Sequence, residues 1–313
     1  MKELKSRWET TEGGRLHESI LKCFINNIDL STLPGLPTFE GRIDLRGVTL
    51  PLKLQVKNYK IEDVDLSFST IYKSNWDKCR FRNVIFNQAK ADDTKFWACK
   101  LDKVVFQKAN LNSVLMNGTL ENDTGYFVDV DFIETNLQGT SYSNTLFERV
   151  RFDKCNLQKV DFNGSRFKNC SFSGKLDEVV FRGTELINIE MFPGRIVHSN
   201  KMENVDFSKA MLESVEFLDS IDISQCSFPT SGDYVIIMKN RTRVFEEARK
   251  VIMTWTGLNH RIGLALIDKS YLSPRKKNNT GEVIDIHYLV KTDKHFGDKF
   301  FNLIRDLNSE LNG

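Results

Sequence analysis

From Ile61 onward, apolar side chains return at every fifth position: Ile61, Leu66, Ile71, Trp76, Phe81, Phe86, Ala91, Phe96, Leu101, Phe106, Leu111 and Met116. Two residues before each centre from Leu66 on sits a small or β-branched residue, beginning Val64, Ser69, Ser74, Cys79, Val84 and Ala89. The intervening positions are mostly Asp, Asn, Lys, Arg and Gln. The pattern slips by one residue and resumes at Phe132, Leu137, Tyr142, Phe147, Phe152, Leu157, Phe162, Phe167 and Phe172. A third run holds Leu176, Phe181 and Leu186, a fourth Phe207, Leu212 and Phe217, and the weaker pair Ile223 and Phe228 ends the array. Leu45 and Leu50, preceded by Ile43 and Val48, extend it backwards.

A period of five is neither the 3.6 of an α-helix nor the 2 of a strand. Within each five, two inward residues flanking one outward residue make a short strand, and the remaining two turn a corner. Four such sides close a square coil of about twenty residues, and coils stacked at the strand spacing of about 4.8 Å pair through their backbones. Residues 41–228 then form about nine coils, a rod roughly 45 Å long. Each coil buries its apolar face only against its neighbours, so the array is quasi-one-dimensional. Fourteen of the 23 Phe fall on centres, which accounts for an unusual composition.

Several fives, among them Val64-Asp65-Leu66-Ser67-Phe68, Ala109-Asn110-Leu111-Asn112-Ser113, Thr135-Asn136-Leu137-Gln138-Gly139, Cys155-Asn156-Leu157-Gln158-Lys159 and Val160-Asp161-Phe162-Asn163-Gly164, follow a motif of small residue, Asp/Asn, Leu/Phe and two polar positions. This resembles the pentapeptide repeat family. The resemblance implies an all-β solenoid, a right-handed quadrilateral β-helix, and suggests a bacterial origin.

Outside the array, Leu16, Ile20, Leu21, Phe24 and Ile28 make an amphipathic stripe after Glu12-Gly13-Gly14, which predicts a helix over 15–28 capping the first coil. Residues 1–40 are read as an N-terminal helical cap and lead-in. After Pro229 the period changes: Val244, Phe245, Ala248, Val251, Ile252 and Trp255 predict a helix over about 240–256. A second helix is placed near 258–269, a loop at Asn278-Asn279-Thr280-Gly281, a strand from Val283 to Val290 and a last helix carrying Phe296, Phe300, Ile304, Leu307 and Leu311. Residues 229–313 are thus expected to form a C-terminal α-rich domain. Two breaks interrupt the repeats, at 117–129 and 192–204. Each is read first as a bulged coil that keeps the stack going and second as an extruded loop, with Glu121, Asp123, Arg195 and His198 as candidate contacts.

Chemistry changes this picture little. The five His have no zinc spacing, and the six Cys contain no CxxC, five of them occupying small inward positions where Cys acts as a small hydrophobe. Phosphate loops and nucleophile motifs are absent, so an enzyme is not expected, and no cofactor or metal is implied. The N-terminus has no apolar leader and no stretch is long enough to span a bilayer, so the expectation is a cytoplasmic protein without membrane contact. Net charge is +2, which excludes a strongly basic nucleic-acid glove.

The family resemblance brings in one known activity, protection of DNA gyrase and other type II topoisomerases by rods that imitate DNA. That needs a dense row of carboxylates, yet residues 41–228 hold 25 Lys+Arg against 26 Asp+Glu. DNA mimicry is therefore the alternative. The leading expectation is a non-enzymatic protein–protein interaction scaffold or inhibitor built on the rod, with stress or defence as a setting. A further alternative is a rod carrying a small C-terminal effector or nucleic-acid-binding module. The positive excess lies in 229–313, with 14 bases against 10 acids. Arg241, Arg243, Arg275, Lys276 and Lys277 are therefore candidate interaction residues, with Tyr271 and Tyr288 as exposed aromatics. Phe300, Ile304, Leu307 and Leu311 are a candidate seam for a homodimer through C-terminal helices.

Overall fold

The computed structural model describes residues 2–120, 123–184, 200–291 and 293–313. Within them the period-five array is a four-sided parallel β-helix. Side one stacks the strands centred on Ile61, Phe81, Leu101, Phe127, Phe147, Phe167 and Met202. Side two carries a ladder of parallel rings, Phe86, Phe106, Phe132, Phe152, Phe172, Phe207 and Phe228, with centroids 4.7 to 5.4 Å apart and planes within 14°. Side three is tied by single bridges along Thr49, Thr70, Lys90, Asn110, Asn136 and Asn156. Side four stacks Val56, Trp76, Phe96, Met116, Tyr142, Phe162, Phe181 and Phe217. Every centre from Ile61 to Met116 and from Phe132 to Phe172 is buried.

The small inward positions do more than fill the corners. Their hydroxyls and thiols donate to carbonyls of the preceding coil: Thr94 to Ile71, Thr140 to Leu111, Cys99 to Trp76 and Cys155 to Phe132, at 2.8 to 3.2 Å. A polar atom in the interior is thereby satisfied by the stack itself.

Two residues after each centre the backbone turns left-handed. From Asp63 through Phe68, Lys73, Lys78 and on to Lys108 and Ser113, φ lies between 50° and 60° at every fifth residue. Such a conformation costs a non-glycine residue about 1–2 kcal/mol, so the corners oppose the fold locally and the stacked interior must offset them. Gly174 marks a tighter corner, where φ is 81° and a Cβ would stand 2.9 Å from the Cα of Lys154.

The first break is resolved by pairing. Phe106 stacks on Phe132 and Met116 pairs with Tyr142, twenty-six residues on, whereas Phe132 pairs with Phe152 at the usual twenty. The insertion leaves the coil where Thr119–Leu120 pairs antiparallel with Asp123–Thr124 as a short hairpin, and Phe127 is already back in the core on Leu101. The expected bulged coil is therefore corrected to an extruded hairpin. The second break lies mostly outside the described residues.

Both rod ends are closed. Helix α1 (Lys2–Ser6) leads to Arg7, whose guanidinium holds both carboxylate oxygens of Asp44 at 2.8 Å, while the Trp8 indole donates to the carbonyl of Arg46. Helix α2 spans Thr11–Asn26 rather than 15–28. Thr10 caps it, and Gly13 falls inside it because a Cβ there would collide with the Arg7 carbonyl at 1.9 Å. Phe24 of α2 meets Tyr59 and Trp76 edge-on, whereas Ile28 lies beyond the helix and is exposed.

At the other end, a two-stranded antiparallel sheet (Tyr234–Ile237 with Glu282–Asp285) and helices α3 (Arg241–Ile252), α4 (Gly257–Leu266), α5 (Ile286–Val290) and α6 (Lys294–Asn312) surround a second apolar core. A π-helical turn, Ile267–Tyr271, follows α4. The strand expected over 283–290 stops at Asp285, because that carboxylate accepts the His287 N–H and starts α5. The loop at 275–280 stands in for a missing next coil. Asp219 N–H donates to the Arg275 carbonyl, Ile221 N–H to the Asn279 side chain and Ile223 N–H to the Thr280 hydroxyl, while the Asn279 amide donates to the Phe217 carbonyl. Ser214 N–H is met by the Asp285 carboxylate at 3.0 Å.

Candidate interaction surfaces

The basic residues singled out in the C-terminal segment do not form a patch. Arg241 is buried and donates to Glu282 through Nε (3.2 Å) and Nη2 (2.9 Å), as well as to the Tyr271 carbonyl. Lys276 is buried too, with its ammonium 2.8 Å from the other oxygen of Glu282. Arg275 grips Asp219 of the rod with two hydrogen bonds, and Asp219 also takes Arg182. Three of the five candidates are therefore consumed inside the molecule, and Arg243 and Lys277 remain exposed. Tyr271 is likewise interior, its ring stacked 4.6 Å from Phe245, while Tyr288 is exposed.

The expected self-association seam faces inward. Phe300 and Ile304 are fully buried, and Leu307 and Leu311 pack half-buried against the same core. The stripe that reads as amphipathic in sequence is the face by which α6 docks on its own domain, not a surface for a second copy. Asp123 sits on the extruded hairpin, 3.0 Å from Lys78. Glu121, Arg195 and His198 lie outside the described residues. Rod and C-terminal segment also enclose a cleft of about 430 Å³, with Val180, Val215 and Glu216 on one wall and Tyr271, Lys276 and Ile284 on the other.

The outward residues of the rod stand in columns, one residue per coil, and the columns differ. On side three, Asn136 donates to Asn110 and Asn156 to Asn136, a run of stacked amides, with Gln138 donating to Gln158 beside it. At the corner after side one, Arg149 pairs with Asp129 at 2.7 Å, and on side two Arg151 pairs with Asp131 at 2.9 Å. Each Arg finds its acid one coil below, so these columns neutralise themselves. One column of side one does the opposite over most of its length: Lys60, Arg80, Lys100, Tyr126, Leu146, Arg166 and Lys201 succeed one another in register, and the first acid, Asp222, comes only after Lys201. Sequence reading missed it, although a column is simply every residue preceding a side-one centre.

Reactive chemistry is sparse. Among the described residues no group of His, Cys, Asp or Glu could hold a metal ion. All six cysteines are free. Burial pushes the Cys170 thiol up to about 11 and that of Cys155 up to about 12, which keeps them protonated and poor nucleophiles. No helix among the described residues is long and apolar enough to cross a membrane.

Residues 79–118 and 131–169 match the family described as Pentapeptide repeats, in eight copies. No curated protein matches the chain. Among solved structures, the chain is similar to HetL, a pentapeptide repeat protein involved in heterocyst differentiation regulation from the cyanobacterium Nostoc sp., at 11% identity and a TM-score of 0.38, covering 69% of this chain and 98% of that one. It is also similar to a trypsin-treated form of QnrB1, a plasmid-mediated fluoroquinolone resistance protein, at 16% identity and a TM-score of 0.32, covering 56% of this chain and 91% of that one. The matched copies lie within the four-sided coil whose centres, small positions and left-handed corners recur every five residues, and over residues 79–118 and 131–169 the chain carries pentapeptide repeats.

Proposed function

We propose that this protein is a non-enzymatic interaction scaffold, a stiff rod closed at one end by α2 and joined at the other to a docked C-terminal domain. One observation carries the reading: among the described residues parallel pairing passes from coil to coil between Leu45 and Phe228, across the hairpin insertion, while both ends are chemically capped, so flat sides are what the rod offers to other molecules. A surface held this rigidly loses little conformational entropy when a partner docks. Free, buried thiols suit a cytoplasmic setting.

The DNA-mimic alternative needs carboxylates left free to imitate phosphates. The rod instead spends several on neighbouring bases, Asp129 on Arg149, Asp131 on Arg151 and Asp161 on Arg182. The test is capture with the full-length protein as bait, followed by cross-linking to locate the contact. A partner cross-linked to rod sides supports the scaffold. A rod that retains no partner, or that shields gyrase from a quinolone in a supercoiling assay, overturns it.

A further inference from the structure

The column of side one that runs from Lys60 to Lys201 before it meets an acid, Asp222, is unusual for a stacked sheet. Like charges directly opposite on neighbouring strands are destabilising, yet Lys60 lies opposite Arg80 and Arg80 opposite Lys100. Among the described residues no ion pair relieves any of the three, whereas the Arg columns near Asp129 and Asp131 are relieved coil by coil. The next column alternates in sign, Glu62, Arg82 and Asp102. Midway, the column changes character. Lys100 lies over the Tyr126 ring at 5.8 Å, and Leu146 follows, before cations return at Arg166 and Lys201. The Arg166 Nε is buried with no hydrogen-bond partner, and burial pulls the Arg166 pKa below its usual value. From Lys60 to Lys201 the stripe is thus cationic at both ends and apolar in the middle, over six steps of about 4.8 Å, or roughly 29 Å, with Asp222 bounding it beyond Lys201.

The geometry points to this stripe as a docking track for an acidic amphipathic α-helix of a partner protein lying along the rod axis. The proposal rests on the scaffold reading and names the surface and the partner's chemistry. A helix presents one face every 5.4 Å and rises 1.5 Å per residue, so about nineteen residues span the stripe. Its turns drift from the coils by about 0.6 Å each, which long Lys and Arg side chains can follow. Acids at both ends would meet Lys60, Arg80, Lys100 and Arg166, and one apolar residue at mid-length would cover Tyr126 and Leu146. A nucleic acid fits less well. Its charge is uniform along the axis, so phosphates would face the uncharged middle and the acids of the neighbouring column.

The test uses the full-length protein and a labelled 21-residue helical peptide with Glu on one face and Leu at its centre, read by fluorescence anisotropy. Controls are a peptide of the same composition with the acids dispersed round the helix, and a 20-base-pair duplex DNA. The ordered peptide should bind at least tenfold tighter than the dispersed one. The triple variant Lys60→Glu, Arg80→Glu, Lys100→Glu should lose at least tenfold in affinity. Arg80→Glu alone should raise Tm, because it places an acid between two cations; this readout does not depend on the peptide. Equal binding of both peptides, unchanged binding by the triple variant, tighter binding of DNA, or a lowered Tm for Arg80→Glu overturns the proposal. The capture experiment separates the two readings. A partner retained equally by wild type and triple variant removes the track alone, and a wild type that retains nothing removes the scaffold.

Discussion

The two apolar cores of this molecule are built on different principles. The rod interior repeats one solution: a ring or aliphatic centre stacked on its equivalent one coil away, as Phe132 and Phe152 are at 5.1 Å, with small polar groups satisfied by neighbouring carbonyls. The C-terminal core is singular. It closes over Glu282, which two cations, Arg241 and Lys276, both grip, and it is fastened to the rod through Asp219 and Arg275. In the first, every contact has copies and the energy is spread along the axis. In the second, a few buried charges define the arrangement, and no repeat can substitute for them. The rod should therefore tolerate much and fail only where its interior is violated, whereas the C-terminal domain should fail at single residues.

The largest expected effect breaks the rod from inside. Phe152→Asp places an unpaired charge between Phe132 and Phe172 and should cost several kcal/mol, a large part of a typical total. Circular dichroism should show loss of β signal or a melting point lowered by tens of degrees. A well-folded Phe152→Asp protein would contradict the stacked interior.

Next comes the C-terminal core. Glu282→Ala leaves Arg241 and Lys276 buried without their acid, which should cost about 3–5 kcal/mol. Hydrogen exchange should report the loss in 234–313 while strands at 75–182 stay protected, since their pairing does not involve Glu282. Uniform loss of protection would erase the distinction between the cores.

Acid should sharpen it further. Asp44 is buried and Asp219 partly so, which alone would raise their pKa values. Arg7 and Arg46 at Asp44, and Arg275 and Arg182 at Asp219, more than offset this and hold both carboxyls below the usual range. Their unfolded values lie near 3.9, so their contribution is complete above about pH 4 and is lost as pH falls through the lower folded values. Thermal melts taken below pH 4 should show a drop relative to pH 6 that is smaller in Asp44→Asn and Asp219→Asn. The smallest effect belongs to the rod surface. Arg151→Glu removes an exposed pair with Asp131 and should change stability by under about 1 kcal/mol.

The solenoid was legible because its signal is periodic. Ile61 to Met116 and Phe132 to Phe172 occupy the interior as their spacing implies, and Phe132, Phe152 and Phe172 stack as residues twenty apart should. What escaped was whatever depends on pairing partners distant in sequence. Arg241 and Lys276 read as surface cations, since nothing local announces Glu282 forty-one and six residues away. The run Val283 to Val290 is apolar enough for a strand, and only the Asp285 cap shows where it turns into a helix. Asn278 to Gly281 reads as a loop, but its role in ending the rod follows from unpaired amides at Ile221 and Ile223. The column from Lys60 to Lys201 was present in the repeat numbering and is visible only when outward positions are read coil by coil.

The extruded hairpin bears on how such a chain can change over generations. Its neck is sealed by backbone bonds, Gly118 to Ser143, Gly125 to Gly118 and Tyr126 to Cys99, so the ladder on either side does not register what lies beyond. Added or deleted residues between Gly118 and Gly125 need not preserve the phase of five, unlike a change anywhere along a side, which would turn every later centre outward. A corner of this kind is a place where inheritance can vary length freely, and where a foreign segment could be spliced into a rod that still counts its coils correctly.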